Sequence, residues 1–233
     1  MSNQRYEQIG VAMTCRSFAE YESMFVLRQL SLQDGPVLDV AGGASSFVAE
    51  ACARGIQAQA VDPLYDMNPE SIYEHGTQEI AASTEKLARL ESSFDWTYYG
   101  SLDNHRKQRE QSLQKFIDDY RLQEGTGRYN SARLPQLPFD DEAFSVVLCS
   151  HFLFLYHEQF DYEFHLSAVE ELLRVCRVGG QVRIYPLRSL QWDVYPHLEQ
   201  LRATLEKQGF MTELIPSGLP FIPGSSELLC ITK

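Results

Sequence analysis

A glycine-rich turn and a later aspartate are the residues whose types and spacing could do chemistry. The turn, residues 41–46, reads Ala-Gly-Gly-Ala-Ser-Ser. Gly42 and Gly43 carry no Cβ, so ligand atoms can approach the backbone N–H groups there. Asp62 follows roughly 20 residues later, at a place where a carboxylate accepts hydrogen bonds from both ribose hydroxyls. The pair predicts a site for an adenosine-containing cofactor.

Two short strands and a helix must position this turn and Asp62. Residues 36–40 are apolar and lead into small residues, which is typical of a buried parallel strand. A helix begins at Ser45 or Ser46 and continues to residue 53, and residues 57–61 form the next strand. This order predicts one βαβ unit, with the turn and Asp62 at the carboxyl ends of adjacent strands.

The rest of the chain continues the alternation of helices and strands. A capping box of Ser17 and Glu20 predicts a helix over about 17–30. Residues 68–127 are mostly polar and predict a helical insertion after the second strand, with helices near 70–90 and 99–123. The remaining predicted elements are strands at 129–132, 144–149, 181–185, 211–215 and 227–232, and helices at 163–177 and 195–208.

These elements predict an α/β fold with a mostly parallel, seven-stranded Rossmann-like sheet, an antiparallel C-terminal hairpin and helices on both faces. The length of 233 residues fits a single domain over 1–233. By analogy at the level of the fold, the insertion at 68–127 is a lid or substrate region, and a dimer contact is the alternative.

The composition argues against several classes of protein. The formal net charge is −12, and the basic run Arg106, Lys107 and Arg109 is interpreted as a solvated helix face, so a nucleic-acid partner is not expected. No apolar stretch is long enough for a membrane span, and the first ten residues lack a signal-peptide core. Five scattered cysteines form no CxxC pair, so neither a disulfide framework nor a metal site is expected and a cytoplasmic location fits best.

The glycine-rich turn resembles the D-x-G-x-G-x-G motif of the class I S-adenosylmethionine-dependent methyltransferases of small-molecule type. Asp39 matches the acid and Gly43 the middle glycine, while Ala41 and Ser45 replace the outer glycines. Residues 137–151 resemble the family's LPF-x-D-x-x-FD block, and residues 177–180 (RVGG) its LKPGG turn. The C-terminal hairpin matches the antiparallel seventh strand that separates this family from dinucleotide dehydrogenases.

The resemblance implies S-adenosyl-L-methionine as cofactor. It implies that Asp62 holds the ribose hydroxyls and that Pro63 and Leu64 flank the adenine. The family's acid for the adenine amino group is absent near Leu134, and Ser131 or backbone carbonyls are the alternatives. The cofactor-binding residues predicted in this way are Tyr21, Asp39, Ala41, Gly42, Gly43, Ser45, Asp62, Pro63, Leu64, Leu134, Ser150 and His151.

Methyl transfer requires mainly alignment of the nucleophile and exclusion of water. If the acceptor carries a proton, a histidine is the usual base. His151 and, less favoured, His157 are the candidates, and a packing or cofactor-contact role is the alternative for each. Tyr21 either reaches the cofactor's carboxylate or packs in the core. Aromatic residues that could form a substrate pocket or ordinary core are Phe152, Phe154, Tyr156, Tyr185 and Trp192.

The sequence therefore predicts an S-adenosylmethionine-dependent methyltransferase that acts on a small molecule. The expected partners are a small-molecule substrate and, as an open possibility, a second copy of the chain; no nucleic acid and no membrane are expected. One alternative is a catalytically silent protein that binds S-adenosylmethionine or S-adenosylhomocysteine. Another is a nicotinamide-dependent reductase, although G-x-G-x-x-G is not matched.

Overall fold

The computed structural model describes residue 8 and residues 10–233. In that part of the chain, helices and strands alternate in the predicted order. Four short 3₁₀ segments occur at Leu27–Gln29, Pro63–Asp66, Glu91–Ser93 and His157–Gln159. The strands are β1 Val37–Val40, β2 Ala58–Val61, β3 Tyr129–Asn130, β4 Phe144–Ser150, β5 Cys176–Tyr185, β6 Met211–Pro216 and β7 Glu227–Thr232. The α-helices are α1 Phe18–Met24, α2 Phe47–Ala53, α3 Pro69–Arg89, α4 Leu102–Leu122, α5 Tyr162–Val175 and α6 Leu198–Lys207.

The seven strands form one sheet in the order β3-β2-β1-β4-β5-β7-β6. β1 pairs in parallel with both β2 and β4, and the parallel ladder continues to β3 on one side and to β5 on the other. β7 is antiparallel to both β5 and β6. The predicted mostly parallel sheet with an antiparallel C-terminal hairpin is confirmed.

Helices cover both faces of the sheet, as predicted. Along β1, Val37 faces a cluster of buried residues that includes Phe47 of α2 and Phe116 of α4. Leu38, the next residue, faces the opposite cluster, which includes Leu172 of α5. Because successive strand side chains point to opposite faces, an unbroken apolar strand such as β1 requires cover on both sides.

Several boundaries differ from the prediction: α4 and α6 each begin three residues later, β5 begins five residues earlier, and two helices end early. Helix α1 begins at the predicted capping box of Ser17 and Glu20, but it ends at Met24, and Val26 then adopts a left-handed backbone with φ of 51°. Helix α5 ends at Val175 because Cys176 is extended and already pairs with Phe144 of β4. Apolar periodicity continues across both boundaries, so it does not reveal where the backbone changes conformation.

The region 68–127 contains two 21-residue helices, α3 and α4. They approach closely, because a Cβ added at Gly76 would lie 2.8 Å from Cδ1 of Leu113. Phe116 and Ile117 of α4 are fully buried beneath them. Within the part of the chain that the structure describes, neither these helices nor any other combine the length and apolar character of a membrane span.

Candidate active site

The turn between β1 and α2 is joined directly to the end of β2. The backbone N–H of Gly43 donates a hydrogen bond to Oδ2 of Asp62 at 3.0 Å, and that of Leu64 donates to Oδ1 at 2.9 Å. Burial raises the pKa of Asp62, while these two backbone hydrogen bonds act to lower it. The carboxylate is thereby held in one orientation at the edge of the sheet where β1 and β2 end.

A cavity of about 250 Å³ opens at this edge and is called the first cavity here. It extends from the glycine-rich turn past Asp62 to the residues that follow β3 and β4. Its apolar wall includes Ala132 and Leu137, neither of which was predicted; the predicted alternative Ser131 does not line it. The predicted site residues that line it are Ala41, Gly43, Asp62, Pro63, Leu64, Leu134, Ser150 and His151.

The other four predicted site residues lie behind the turn instead of along the first cavity. The hydroxyl of Tyr21 donates to Asp39, at 3.0 and 3.1 Å from its two carboxylate oxygens, and both side chains are buried. A Cβ at Gly42 would lie 2.9 Å from Oδ2 of Asp39. Ser45 Oγ donates to the carbonyl of Arg16 at 2.6 Å. These four residues support the turn from its buried side.

An extended N-terminal segment, residues 11–16, covers the turn and is called the strap here. The N–H of Ala44 donates to the carbonyl of Thr14 at 3.0 Å, and that of Ser46 donates to the carbonyl of Arg16 at 3.0 Å. A Cβ on Gly43 would lie 2.9 Å from the Thr14 carbonyl oxygen, so the glycine admits the strap. These residues are not recognisable from the sequence, because an extended segment without alternating apolar residues carries no pattern that would reveal it.

His151 borders the first cavity immediately after β4. It has a left-handed backbone with φ of 52°, and its Nδ1 lies 2.9 Å from Ser150 Oγ. Burial, followed by the guanidinium charges of Arg16 and Arg109, holds the pKa of His151 well below its ordinary value. The ring is therefore neutral, and its Nε2 makes no hydrogen bond within the described residues. His157, the other candidate base, borders neither cavity.

A second cavity, of about 120 Å³, adjoins the first. Ala12, Met13 and Thr14 of the strap and His151 border both cavities. Part of the wall of the second cavity is formed by the region 68–127, through residues of α3, of α4 and of the segment between them. Of the aromatic residues singled out from the sequence, Tyr156 and Trp192 line the second cavity and Phe152 lines the first, whereas Phe154 and Tyr185 are buried in the core.

A buried ionic network lies beside the second cavity. Glu20 of α1 pairs with Arg109 of α4 at 2.5 Å and with Arg16 at 3.6 Å, and it accepts a hydrogen bond from the Tyr99 hydroxyl at 2.6 Å. Burial alone would raise the pKa of Glu20, but the two guanidinium groups lower it below its ordinary value. The interpretation of Arg109 as part of a solvated face is wrong, because α4 turns this residue inward.

Comparison with known proteins gives one close sequence relative. Uncharacterized protein MJ0045 of Methanocaldococcus jannaschii is 30% identical over 223 residues, which are 94% of each chain. No protein-family model matches the chain.

Solved structures share the fold at low sequence identity. A protein of Nostoc punctiforme provisionally assigned as an O-methyltransferase is 13% identical, with a TM-score of 0.50, over 93% of this chain and 57% of that chain. An S-adenosyl-L-methionine-dependent methyltransferase of Methanococcus maripaludis, also provisionally assigned, is 12% identical, with a TM-score of 0.47, over 93% and 90%. The sheet order and the Nostoc structure identify the fold as that of the class I methyltransferases.

Proposed function

The chain belongs to the same family as the Methanocaldococcus jannaschii protein and has the class I methyltransferase fold, and on that premise we propose that it transfers a methyl group from S-adenosylmethionine to a small-molecule acceptor. The observation that carries the proposal is the convergence of Gly43 and Asp62 on one cavity, beside a second cavity that shares His151. One cavity is thus available for a cofactor and its neighbour for an acceptor.

The residues of the first cavity fit the cofactor's adenosyl group. An ionised carboxylate offers about four lone-pair sites, and Asp62 uses two of them for backbone N–H groups. The remaining two are available to the ribose hydroxyls. Leu64 and Leu134 supply apolar surface for the adenine ring, and Ser150 and His151 border the methionine end. Ala41 and Gly43 line the cavity at the turn, but Thr14 of the strap fills the space beside the Gly43 Cα and Asp62 accepts the Gly43 N–H, so this glycine offers the ligand no free amide.

S-adenosylmethionine, when bound, supplies the methyl group as a sulfonium and leaves as neutral S-adenosylhomocysteine, while the acceptor gains the methyl group and loses a proton. Ala12, Met13 and Thr14 of the strap line both cavities and cover the junction between them. His151 is neutral, and its free Nε2 accepts the proton of an acceptor hydroxyl or amine. Alignment and water exclusion are the main contributions asked of the protein.

A catalytically silent binding protein is the second candidate. Asp62 is the only carboxylate that lines the first cavity among the described residues, so no acid faces the adenine amino group. Such a protein would bind S-adenosylhomocysteine without releasing it from S-adenosylmethionine in the presence of any acceptor.

Two measurements test the proposal and separate these candidates. Isothermal titration calorimetry should give heat with S-adenosylmethionine and S-adenosylhomocysteine and none with NADH or NADPH; heat from the nicotinamides alone would contradict the cofactor assignment. A coupled assay of S-adenosylhomocysteine release across a panel of small acids, phenols and amines should then give turnover with at least one compound. Binding without turnover across the whole panel would favour the silent protein.

A further inference from the structure

The second cavity lies where an acceptor would have to bind. It shares Ala12, Met13, Thr14 and His151 with the first cavity, so a molecule in it would meet the proposed cofactor across the strap and the histidine. Arg16 and Arg109, which also line it, act electrostatically on His151. The two arginines and the candidate base therefore belong to one enclosed environment.

The size and walls of this cavity suit one planar ring. An apolar cavity engineered in another protein, of about 150 Å³, holds benzene, and the second cavity, at about 120 Å³, has room for no more than one ring. Phe94 stacks on Phe221 at 4.9 Å between ring centroids and meets Trp192 edge-on at 6.0 Å. Aromatic side chains in such stacked and edge-on arrangements favour a further aromatic ring over an aliphatic one.

The buried side chains of the cavity carry a surplus positive charge. Arg16 and Arg109 face one carboxylate, Glu20, which both of them contact. Burial, with the charges of Arg109 and Arg16, lowers the pKa of His105, so this residue is neutral and adds no charge. Glu79 also borders the cavity, but it is partly exposed and water screens its charge, so it offsets the two arginines only in part. An anionic ligand would balance the excess guanidinium charge.

Two polar atoms beside the cavity lack partners. Arg16 Nε and His105 Nδ1 are both buried, and neither makes a hydrogen bond. Arg16 is 7% exposed and His105 4% exposed. The terminal nitrogens of Arg109, in contrast, are used by the Cys15 carbonyl, Glu20 and Tyr99. Because a buried polar group without a partner is costly, a ligand would be favoured if its oxygens bonded to these two atoms after a small shift of the side chains toward the cavity.

We propose that the second cavity is the acceptor site and that it takes a single-ring aromatic acid, with the acidic oxygen on Arg16 and the ring among Phe94, Trp192 and Phe221. This assignment rests on the proposed methyl transfer for its purpose, but its binding chemistry is independent of it. A ring hydroxyl is the group that His151 would deprotonate. Nδ1 of His105 provides a second polar contact, for an oxygen carried by the aromatic ring.

Binding in the absence of cofactor tests the assignment on the whole chain. Calorimetric titration with 4-hydroxybenzoate should give a dissociation constant at least about tenfold lower than titration with phenol, because a hydrogen bond to a charged group is lost with phenol. 4-Hydroxycyclohexanecarboxylate, which keeps the charge and the hydroxyl and loses the planar ring, should also bind about tenfold more weakly. Equal affinity for the three compounds, or no binding of 4-hydroxybenzoate, would overturn the assignment without need of any variant.

A pair of variants locates the binding. Arg16→Met should weaken 4-hydroxybenzoate by about tenfold or more and change phenol by less than about threefold. Arg106→Met, on the exposed face of α4, should leave both unchanged. If Arg16→Met leaves the preference for the acid intact, the oxygen binds elsewhere and the proposal is wrong.

Titration of the same samples with S-adenosylhomocysteine separates this proposal from the proposed function. Bound S-adenosylhomocysteine without bound aromatic acid would remove the acceptor assignment and leave methyl transfer standing. A bound aromatic acid without bound S-adenosylhomocysteine would contradict the proposed methyl transfer and leave the aromatic-acid site in the second cavity supported.

Discussion

Arg109 of α4 and Glu20 of α1 form a buried ion pair at 2.5 Å that ties the region 68–127 to the N-terminal helix. Arg109 also donates to the Cys15 carbonyl at 3.0 Å, so the pair anchors the strap as well. Both side chains are almost fully buried, and Arg109 lines the second cavity.

Arg109→Met should destabilise the protein by about 3–5 kcal/mol, because the buried Glu20 carboxylate then keeps only the more distant Arg16, at 3.6 Å, as its cationic partner. Arg106→Met on the same helix removes an exposed arginine and should change the free energy of unfolding by no more than about 0.5 kcal/mol. Urea denaturation of both variants measures the difference. Similar stabilities for the two variants would mean that the buried pair contributes little.

Tyr21→Phe should destabilise the protein by about 1–3 kcal/mol, because Asp39 loses the hydroxyl that donates to its carboxylate. Burial raises the pKa of Asp39, and the Tyr21 hydrogen bond acts against that rise. A carboxyl with a raised folded-state pKa binds more protons in the folded than in the unfolded state. Its contribution to stability therefore falls as pH rises from the unfolded-state pKa to the folded-state pKa.

The variant's deficit should consequently be larger at about pH 8, where a greater fraction of Asp39 is ionised, than at about pH 5. Urea denaturation at the two pH values checks this, with Tyr73→Phe, at an exposed tyrosine, as the matched control. A deficit independent of pH would indicate that only packing, and not the charge of Asp39, is affected.

Gly43→Ala should weaken S-adenosylhomocysteine binding and destabilise the protein, because the added Cβ meets the Thr14 carbonyl at 2.9 Å and φ is +56°. Gly55→Ala has φ of +77° with open space around the added Cβ. It therefore reports the backbone cost alone, about 1–2 kcal/mol. Calorimetry and urea denaturation on both variants should reveal a binding defect only at Gly43. Intact binding of S-adenosylhomocysteine in Gly43→Ala would mean that the close fit of the strap against Gly43 is not needed for binding.

His151→Asn should lower turnover by about 100-fold or more if the acceptor is protonated. Binding of S-adenosylhomocysteine should change little, since the neutral ring borders the cofactor cavity without pairing to a charge. His157→Asn, at a histidine outside both cavities, is the control for each measurement. Full turnover in His151→Asn would mean that solvent, and not His151, takes the proton that the methyl acceptor loses.

The sequence predicts the sheet well and places Gly43 beside Asp62 as the structure does, because both depend on local signals. Gly43 and Asp62 are recognisable from residue type and spacing, and strand positions follow from runs of apolar residues. The inward position of Arg109 is not recognisable, because the face that α4 buries depends on α1 and the strap packed against it. Tyr21 and Asp39 lie next to the turn as predicted, but on its buried side and not along the first cavity. Which side of a strand end faces the cavity depends on the three-dimensional packing.

The most direct test of the central claim is the affinity of Asp62→Ala for S-adenosylhomocysteine by isothermal titration calorimetry. Asp66→Ala, at an exposed aspartate in the same short helix, is the control. We expect Asp62→Ala to lose about 1–3 kcal/mol of binding free energy while remaining folded by circular dichroism, and Asp66→Ala to bind as the unaltered protein does. Unchanged affinity in folded Asp62→Ala would contradict the assignment of the first cavity to the adenosyl group.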